Sequence, residues 1–237
     1  IEILTKDETF RKSLVATLKY VLIGTPAVVI VAFFVAFVLN FKLKGVNFFR
    51  TAYYIPSILG GNVAVSILWT MLFSVNGPIN IVLGVFGVEQ IYWTTDPNFA
   101  VFTLIILKTW QFGSTMLIFL SALQGVSKSL YEAASLDGAG KLRQLFSVTL
   151  PLVTPVVLFN AVNVLVKAFQ EFNSAYLITK GGPNKATYFL NLYIYDSAFK
   201  EGNYGYASAL TWILLLIIGV LTLILFKSSD KWVYYND

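Results

Sequence analysis

The side chains most able to do chemistry in this sequence are a few polar groups set inside long apolar runs. Lys108, Gln111 and Thr115 recur at intervals of three or four, with Trp110 and Ser114 beside them. Asn160, Asn163, Lys167, Gln170 and Glu171 form a second such stripe, and Asn62, Ser66 and Trp69-Thr70 a third. A charged side chain within a lipid-embedded helix costs about 2.5–3.5 kcal/mol on insertion scales, so such groups face a bundle interior or a water-filled cavity. Lys167 and Glu171, four residues apart, are placed to pair along one helix face. The sequence has no His and no Cys, which removes His-based triads, thiolate ligands and most zinc chemistry. Without them the scattered carboxylates assemble no catalytic constellation. There is also no GxxxxGK[ST] phosphate loop, so the chain does not hydrolyse ATP itself. What remains is hydrogen bonding and charge along helix faces, a chemistry of binding rather than of bond making.

The elements that carry these stripes are set by composition. Of 237 residues, 57% are hydrophobic and 12% charged, about half the charged share of ordinary soluble domains, and the mean hydropathy is +0.73. A spanning helix takes roughly 20 mostly apolar residues. Stretches at about 13–39, 53–74, 99–122, 152–174 and 206–226 qualify. The expected fold is an all-α integral membrane bundle forming one domain over residues 1–237. The first ten residues, IEILTKDETF, read as an extramembrane lead-in without the features of a signal peptide. Asn76-Gly77-Pro78 and Gly181-Gly182-Pro183-Asn184 are turn signals, and the short apolar piece after the first is placed to lie along the surface.

Five spans put the termini on opposite sides. The loop after the first span carries Lys42, Lys44 and Arg50 with no acid, whereas the loop at about 75–98 carries Glu89 and Asp96 with no base. By the positive-inside rule the former is cytoplasmic and the latter external. That places the N-terminus of this chain outside and its C-terminus inside, despite Lys180, Lys185 and Lys200 in an external loop. The net charge of +5 then belongs to loops and lipid headgroups rather than to nucleic acid, since no basic run is present.

The polar interval 127–151 holds the most specific pattern. It contains Glu132, Ala133, Ala134, Asp137 and Gly138, and it closes on Leu150 and Pro151. Ser129 and Glu132 have capping-box spacing, Gly138 and Gly140 permit a turn, Lys141 to Val148 fit a second short helix, and Pro151 marks the start of the fourth span. Glu132, Ala133, Ala134, Gly138, Leu150 and Pro151 match the EAA loop of permease subunits in ATP-driven importers, with Val148 where Ile is usual. Residues 44–56, Gly77-Pro78-Ile79-Asn80, and Leu177 to Pro183 followed by Thr187 and Tyr193-Ile194-Tyr195 resemble the larger, maltose-type permease of carbohydrate importers. The likeness covers nearly the whole chain. Such permeases usually have six core spans; residues 1–12 look like the external segment after the first, so a preceding span is expected to be missing.

The resemblance implies a type I importer fold and transport of a sugar or oligosaccharide across the cytoplasmic membrane of a bacterium or archaeon by alternating access. It implies as partners a second homologous permease, two ATP-binding-cassette ATPases, an extracellular or periplasmic sugar-binding protein, and membrane lipid. ATP and Mg would bind at the ATPases, with no cofactor on this chain. Glu132, Ala133, Ala134, Asp137, Gly138, Leu150 and Pro151 would form the coupling loop. Sugar contacts in such permeases fall on the spans flanking that loop, where Trp110, Gln111 and Ser114, and later Val164, Ala168 and Glu171, line up. Trp110, Gln111, Ser114, Asn163 and Glu171 offer the hydroxyl partners and flat faces that a sugar needs. The same polar groups equally suit helix packing or the interface with the partner permease. A permease for an amino acid or another small polar solute is the alternative. An ion-coupled secondary transporter is weaker, because Glu171 is the lone acid in the spans and has no carboxylate partner.

Overall fold

The computed structural model describes residues 6–41 and 45–234. Lys42 and Lys44, two of the three bases used to assign the first loop, lie outside them, as do the first five residues of the lead-in. Among the described residues three helices are long and apolar enough to cross a membrane, and two bent pairs bring the number of spans to five. The first helix, α1 (Glu8–Leu39), starts within the stretch read as a lead-in. Asp7 caps it, accepting from the Phe10 N–H at 3.0 Å, and Phe10 is buried.

Two of the five expected spans are not continuous helices. The stretch 53–74 forms α2 (Val46–Leu59) and α3 (Val63–Leu72), bent by 104°. The break has a local cause: Gly61 adopts a left-handed φ of +76°, and Asn62 caps α3 by accepting from the Ala64 N–H at 2.9 Å. The stretch 99–122 forms α5 (Pro97–Trp110) and α6 (Gly113–Gly125), bent by 45°. Between the two pairs lies the surface piece foreseen after the Asn-Gly-Pro turn, α4 (Pro78–Val85). The buried Asn80 amide anchors it, donating to the Val75 and Ile91 carbonyls at 2.9 Å and accepting from Trp93 Nε1 at 2.9 Å.

The polar interval forms α7 (Lys128–Leu136) and α8 (Lys141–Gln144). A wide π-type turn (Leu145–Thr149) then runs straight into α9 (Leu150–Phe169). Pro151 therefore lies within a 29-residue helix, Lys141–Phe169, rather than at the start of a separate one. A proline ring crowds the carbonyl four residues back and leaves no N–H to bond it; the widened turn just before Pro151 accommodates this without ending the helix. The fourth span also stops at Phe169, five residues short of the expected 174. Beyond it come a second π-type turn (Ala175–Thr179), α10 (Leu190–Tyr195) with a third (Asp196–Lys200), and the last span, α11 (Tyr204–Ser229).

The bundle is organised around α1, which packs on α5, α6 and α9. Its buried face is partly made of small residues, Ala16, Ala32 and Ala36, and small residues let helix backbones approach closely where lipid removes the hydrophobic drive for association. Two apolar cores result. One surrounds Phe10, Tyr20, Phe169 and Phe189; the other surrounds Val28, Ala36, Phe119 and Val153. At the N-terminal end of α1 the Asp7 carboxylate accepts hydrogen bonds from Tyr206 and, at 2.7 Å, from Tyr193, tying the first and last spans to α10.

Two predictions follow from this packing. A Cβ on Gly113 would lie 2.3 Å from the Tyr53 carbonyl oxygen and 2.7 Å from Tyr54 Cα, backbone atoms that cannot move aside. Gly113→Ala is expected to destabilise the bundle by about 1–3 kcal/mol, as overpacking does, whereas Gly84→Ala, with open space around it, changes little. Thermal unfolding of the solubilised complex distinguishes them. For Asp7, burial pushes the carboxyl up, but the hydrogen bonds from Tyr206, Tyr193 and the Phe10 N–H outweigh it and hold the group below its usual 3.8. A depressed folded pKa adds stability that is complete above 3.8 and disappears as pH falls through the folded value. Asp7→Asn should therefore lower Tm at pH 7, and the gap to the parent protein should narrow below pH 3.8. A gap independent of pH would exclude this linkage.

Candidate functional site

Three helix interruptions converge at one place in the bundle: the Gly60-Gly61 break, the kink at Gln111, and the end of α9 at Gln170. Added Cβ atoms on Gly60 and Gly61 would each come within 3.0 Å of Gln111 Oε1 and Asn173 Nδ2, respectively. Irregular backbone at membrane depth must be buried in protein or line a wet cavity, because hydrocarbon offers its polar groups no partners. A cavity of about 370 Å³ lies here. It sits at the seam of the two cores, with Tyr20, Val65 and Leu107 from one and Val28 and Val164 from the other. Its polar wall includes Ser57, Ser66, Lys108, Gln111, Ser114, Thr115, Lys167 and Glu171.

Glu171 is the most constrained of these. Its Oε1 accepts from the Ser174 N–H at 3.1 Å and the Ser174 hydroxyl at 2.9 Å. Its Oε2 accepts from the Tyr20 hydroxyl at 3.3 Å and lies 3.7 Å from Lys108 Nζ. The expected pair with Lys167 does not form. Because α9 ends at Phe169, Glu171 lies beyond the helix and not one turn above Lys167, so Lys108 reaches it from α5 instead. Lys167 stands exposed at the cavity wall. Ser114 donates to Ser57 Oγ at 3.1 Å, joining α6 to α2.

The cavity brings together four of the seven residues singled out for a substrate path: Gln111, Ser114, Val164 and Glu171. Three stand off its lining. Trp110 packs on Trp69 with ring centroids 5.7 Å apart, Asn163 donates to the Phe159 carbonyl of its own helix at 2.8 Å, and Ala168 is buried in the apolar core. Sequence reasoning missed Tyr20, Ser57, Asn173 and Ser174. The one signal near any of them was Gly60-Gly61-Asn62, close to Ser57, interrupting an otherwise apolar run; nothing in the sequence pointed to Tyr20.

At the other end of the helix Lys141–Phe169, α7 is bare: it contains no buried residue, and Glu132, Ala133, Asp137 and Gly138 are exposed while Ala134 is half-buried. Ser129 does not cap it. The helix starts two residues earlier than a Ser129 cap would set it, with Ser127 at the cap position and no side-chain capping bond; the two Ser hydroxyls bond each other at 2.7 Å. Its C-terminal end is well defined. Gly138, at φ +79°, donates to the Ser135 carbonyl at 3.1 Å, and Ala139 to the Ala134 carbonyl at 2.8 Å, the paired bonds of a Schellman cap. The loop is then tied back to the span. Gln144 Nε2 donates to Ser135 Oγ at 2.8 Å and to the Ala139 carbonyl at 3.0 Å, and the Tyr131 and Thr149 hydroxyls bond at 2.9 Å. Leu150 and Pro151 are half-buried inside the continuing helix. An exposed short helix stapled to a long one can pass a displacement along it.

Residues 8–234 match the family model described as the inner membrane component of binding-protein-dependent transport systems. A probable ABC transporter permease protein, YesP of Bacillus subtilis (strain 168), is 46% identical over 239 residues, which covers 100% of this chain and 77% of that protein. The lactose transport system permease protein LacF of Rhizobium radiobacter is 33% identical, covering 96% of this chain and 78% of the relative. The fold matches a chain of the crystal structure of a bacterial alginate ABC transporter in complex with an alginate pentasaccharide-bound periplasmic protein. The TM-score is 0.85 at 20% identity, over 97% of this chain and 82% of that one. With its spans and its type I importer fold, the chain belongs to the inner membrane components of binding-protein-dependent transport systems, as a multi-pass ABC importer permease subunit.

Proposed function

We propose that this permease carries a sugar or oligosaccharide inward by alternating access, working with a second homologous permease, two ATPase subunits and an extracellular sugar-binding protein. The observation that carries this reading is the cavity where three helix breaks meet, lined by hydroxyl, amide and ion-paired groups and connected to the bare coupling loop by one continuous helix. From Lys141 to Val164 that helix covers about 35 Å at 1.5 Å per residue, so a push on α7, carried through the turn at 137–140 that Gln144 and Ser135 fasten, reaches the cavity wall along one helix. ATP and Mg bind at the ATPase subunits, and their closure moves the loop. The N-terminus of the chain faces outward and the C-terminus the cytoplasm. The lactose permease among the relatives supports a sugar over an amino acid. The Lys108–Glu171 pairing leaves no unpaired span carboxylate for ion coupling.

Two experiments test the assignment on the reconstituted complex. Substituting Gly138 by Val puts a branched side chain at a left-handed φ and disrupts the cap. Substrate-stimulated ATPase activity should fall at least about tenfold, equivalent to about 1.4 kcal/mol, while membrane insertion is unchanged. Full stimulation in Gly138→Val and Glu132→Ala would exclude α7 as the coupling element. Lys108→Met strands the partly buried Glu171 carboxylate and should abolish uptake, whereas the double variant Lys108→Met/Glu171→Gln regains part of it, since removing both charges is less harmful than removing one. A sugar panel scored by ATPase stimulation identifies the substrate class. Stimulation by amino acids but by no sugar would overturn the carbohydrate reading.

A further inference from the structure

The N-terminal turns of α1 carry charge at a depth that selects a particular ligand. With 32 residues, α1 is about 48 Å long at 1.5 Å per residue, against a hydrocarbon core of about 30 Å. Residues 20–39 contain no charged side chain and account for about 30 Å of that length. Their outward face is apolar, with Leu22, Ile30 and Phe34 60–65% exposed. Arg11, Lys12 and Lys19 therefore stand at headgroup level. Beside them is a second concavity of about 460 Å³, lying between α1, the start of α5 and residues 184–186.

Its rim and its floor differ in chemistry. Arg11, Lys12, Lys19 and Lys185 line it with Glu8 as the one acid. Lys12 takes up that acid, 2.8 Å from Glu8 Oε1, which leaves Arg11, Lys19 and Lys185 as excess positive charge. Neutral contacts position two of them: Lys185 donates to Thr9 Oγ1 at 2.6 Å, and Lys19 lies 5.1 Å from the centre of the Phe102 ring. The floor is apolar, formed by Val15, Ala16, Pro97 and Val101, and Val15 is 65% exposed. A free anion would satisfy the rim alone. An amphiphile with an anionic head satisfies both, because its head meets the cations while its chains follow α1 into the hydrocarbon.

We propose that this groove binds an anionic phospholipid of the leaflet at the N-terminal end of α1, with its phosphate held by Arg11, Lys19 and Lys185 and an acyl chain lying over Val15. The site is separate from the central cavity and does not depend on which solute that cavity carries. The assembled transporter, released from nanodiscs of equal phosphatidylglycerol and phosphatidylcholine and weighed by native mass spectrometry, should retain phosphatidylglycerol preferentially. Arg11→Gln and Lys185→Gln should each reduce that retention about fivefold, as loss of one headgroup-facing charge does, and Arg11→Lys should preserve it. Equal retention of the two lipids by the parent complex would overturn the proposal without reference to any variant. Displacement of phosphatidylglycerol by millimolar inorganic phosphate would overturn it in favour of a simple anion site. Unchanged retention in both glutamine variants would also overturn it.

Discussion

Every peptide group inside hydrocarbon must find its partner within the protein, and the rest of this structure is arranged around the places where helices fail to provide one. Continuous helices such as α1 and α11 meet the requirement alone. The breaks at Gly60-Gly61, Gln111 and Gln170 do not, and they are gathered against one another rather than scattered. Pooling them gathers the interrupted backbone and the polar side chains around one cavity. The central cavity is thus a product of the same rule that makes the spans helical. Glu171 illustrates the result: a carboxylate beyond the end of α9, tolerable in the bundle because Ser174, Tyr20 and Lys108 all converge on it.

The opposite end of the fourth span is governed by stiffness. Gly138 fixes the exit of α7 through two backbone hydrogen bonds, and Gln144 and Thr149 fasten the turn to the helix it feeds. The loop's own polar groups leave it little slack. Glu132 and Ala133 on α7 remain exposed, while Tyr131 and Ser135 carry its bonds to the following turn and helix.

Much of this could be read directly in the residues. Apolar length located all five spans, turn residues marked loops between them, and the interval around Glu132 and Gly138 was legible as a polar break between two spans. What escaped was geometry that depends on distant partners. Hydropathy cannot tell a straight span from one bent by 104°, since Gly60 and Gly61 lower it only slightly. Pairing Lys167 with Glu171 assumed that the helix continued, and it stops two residues too soon. Capping-box spacing at Ser129 failed because the helix begins at Lys128, with Ser127, two residues earlier, at the cap position. Tyr20 was invisible as a cavity residue, being one aromatic among many on α1 until Glu171 approaches it from 151 positions away.

The π-type turn at Leu145–Thr149 carries a consequence for phase. A widened turn inserts an extra residue into a helix, and one residue corresponds to about 100° of rotation about the axis. The azimuth at which Val164 and Lys167 meet the cavity is therefore clocked by a feature lying just beyond α8. Segments exchanged here between related permeases would have to conserve this angular offset as well as their length. Residue count between Gly138 and Pro151 is then a form of specificity in its own right, written in degrees rather than in side chains.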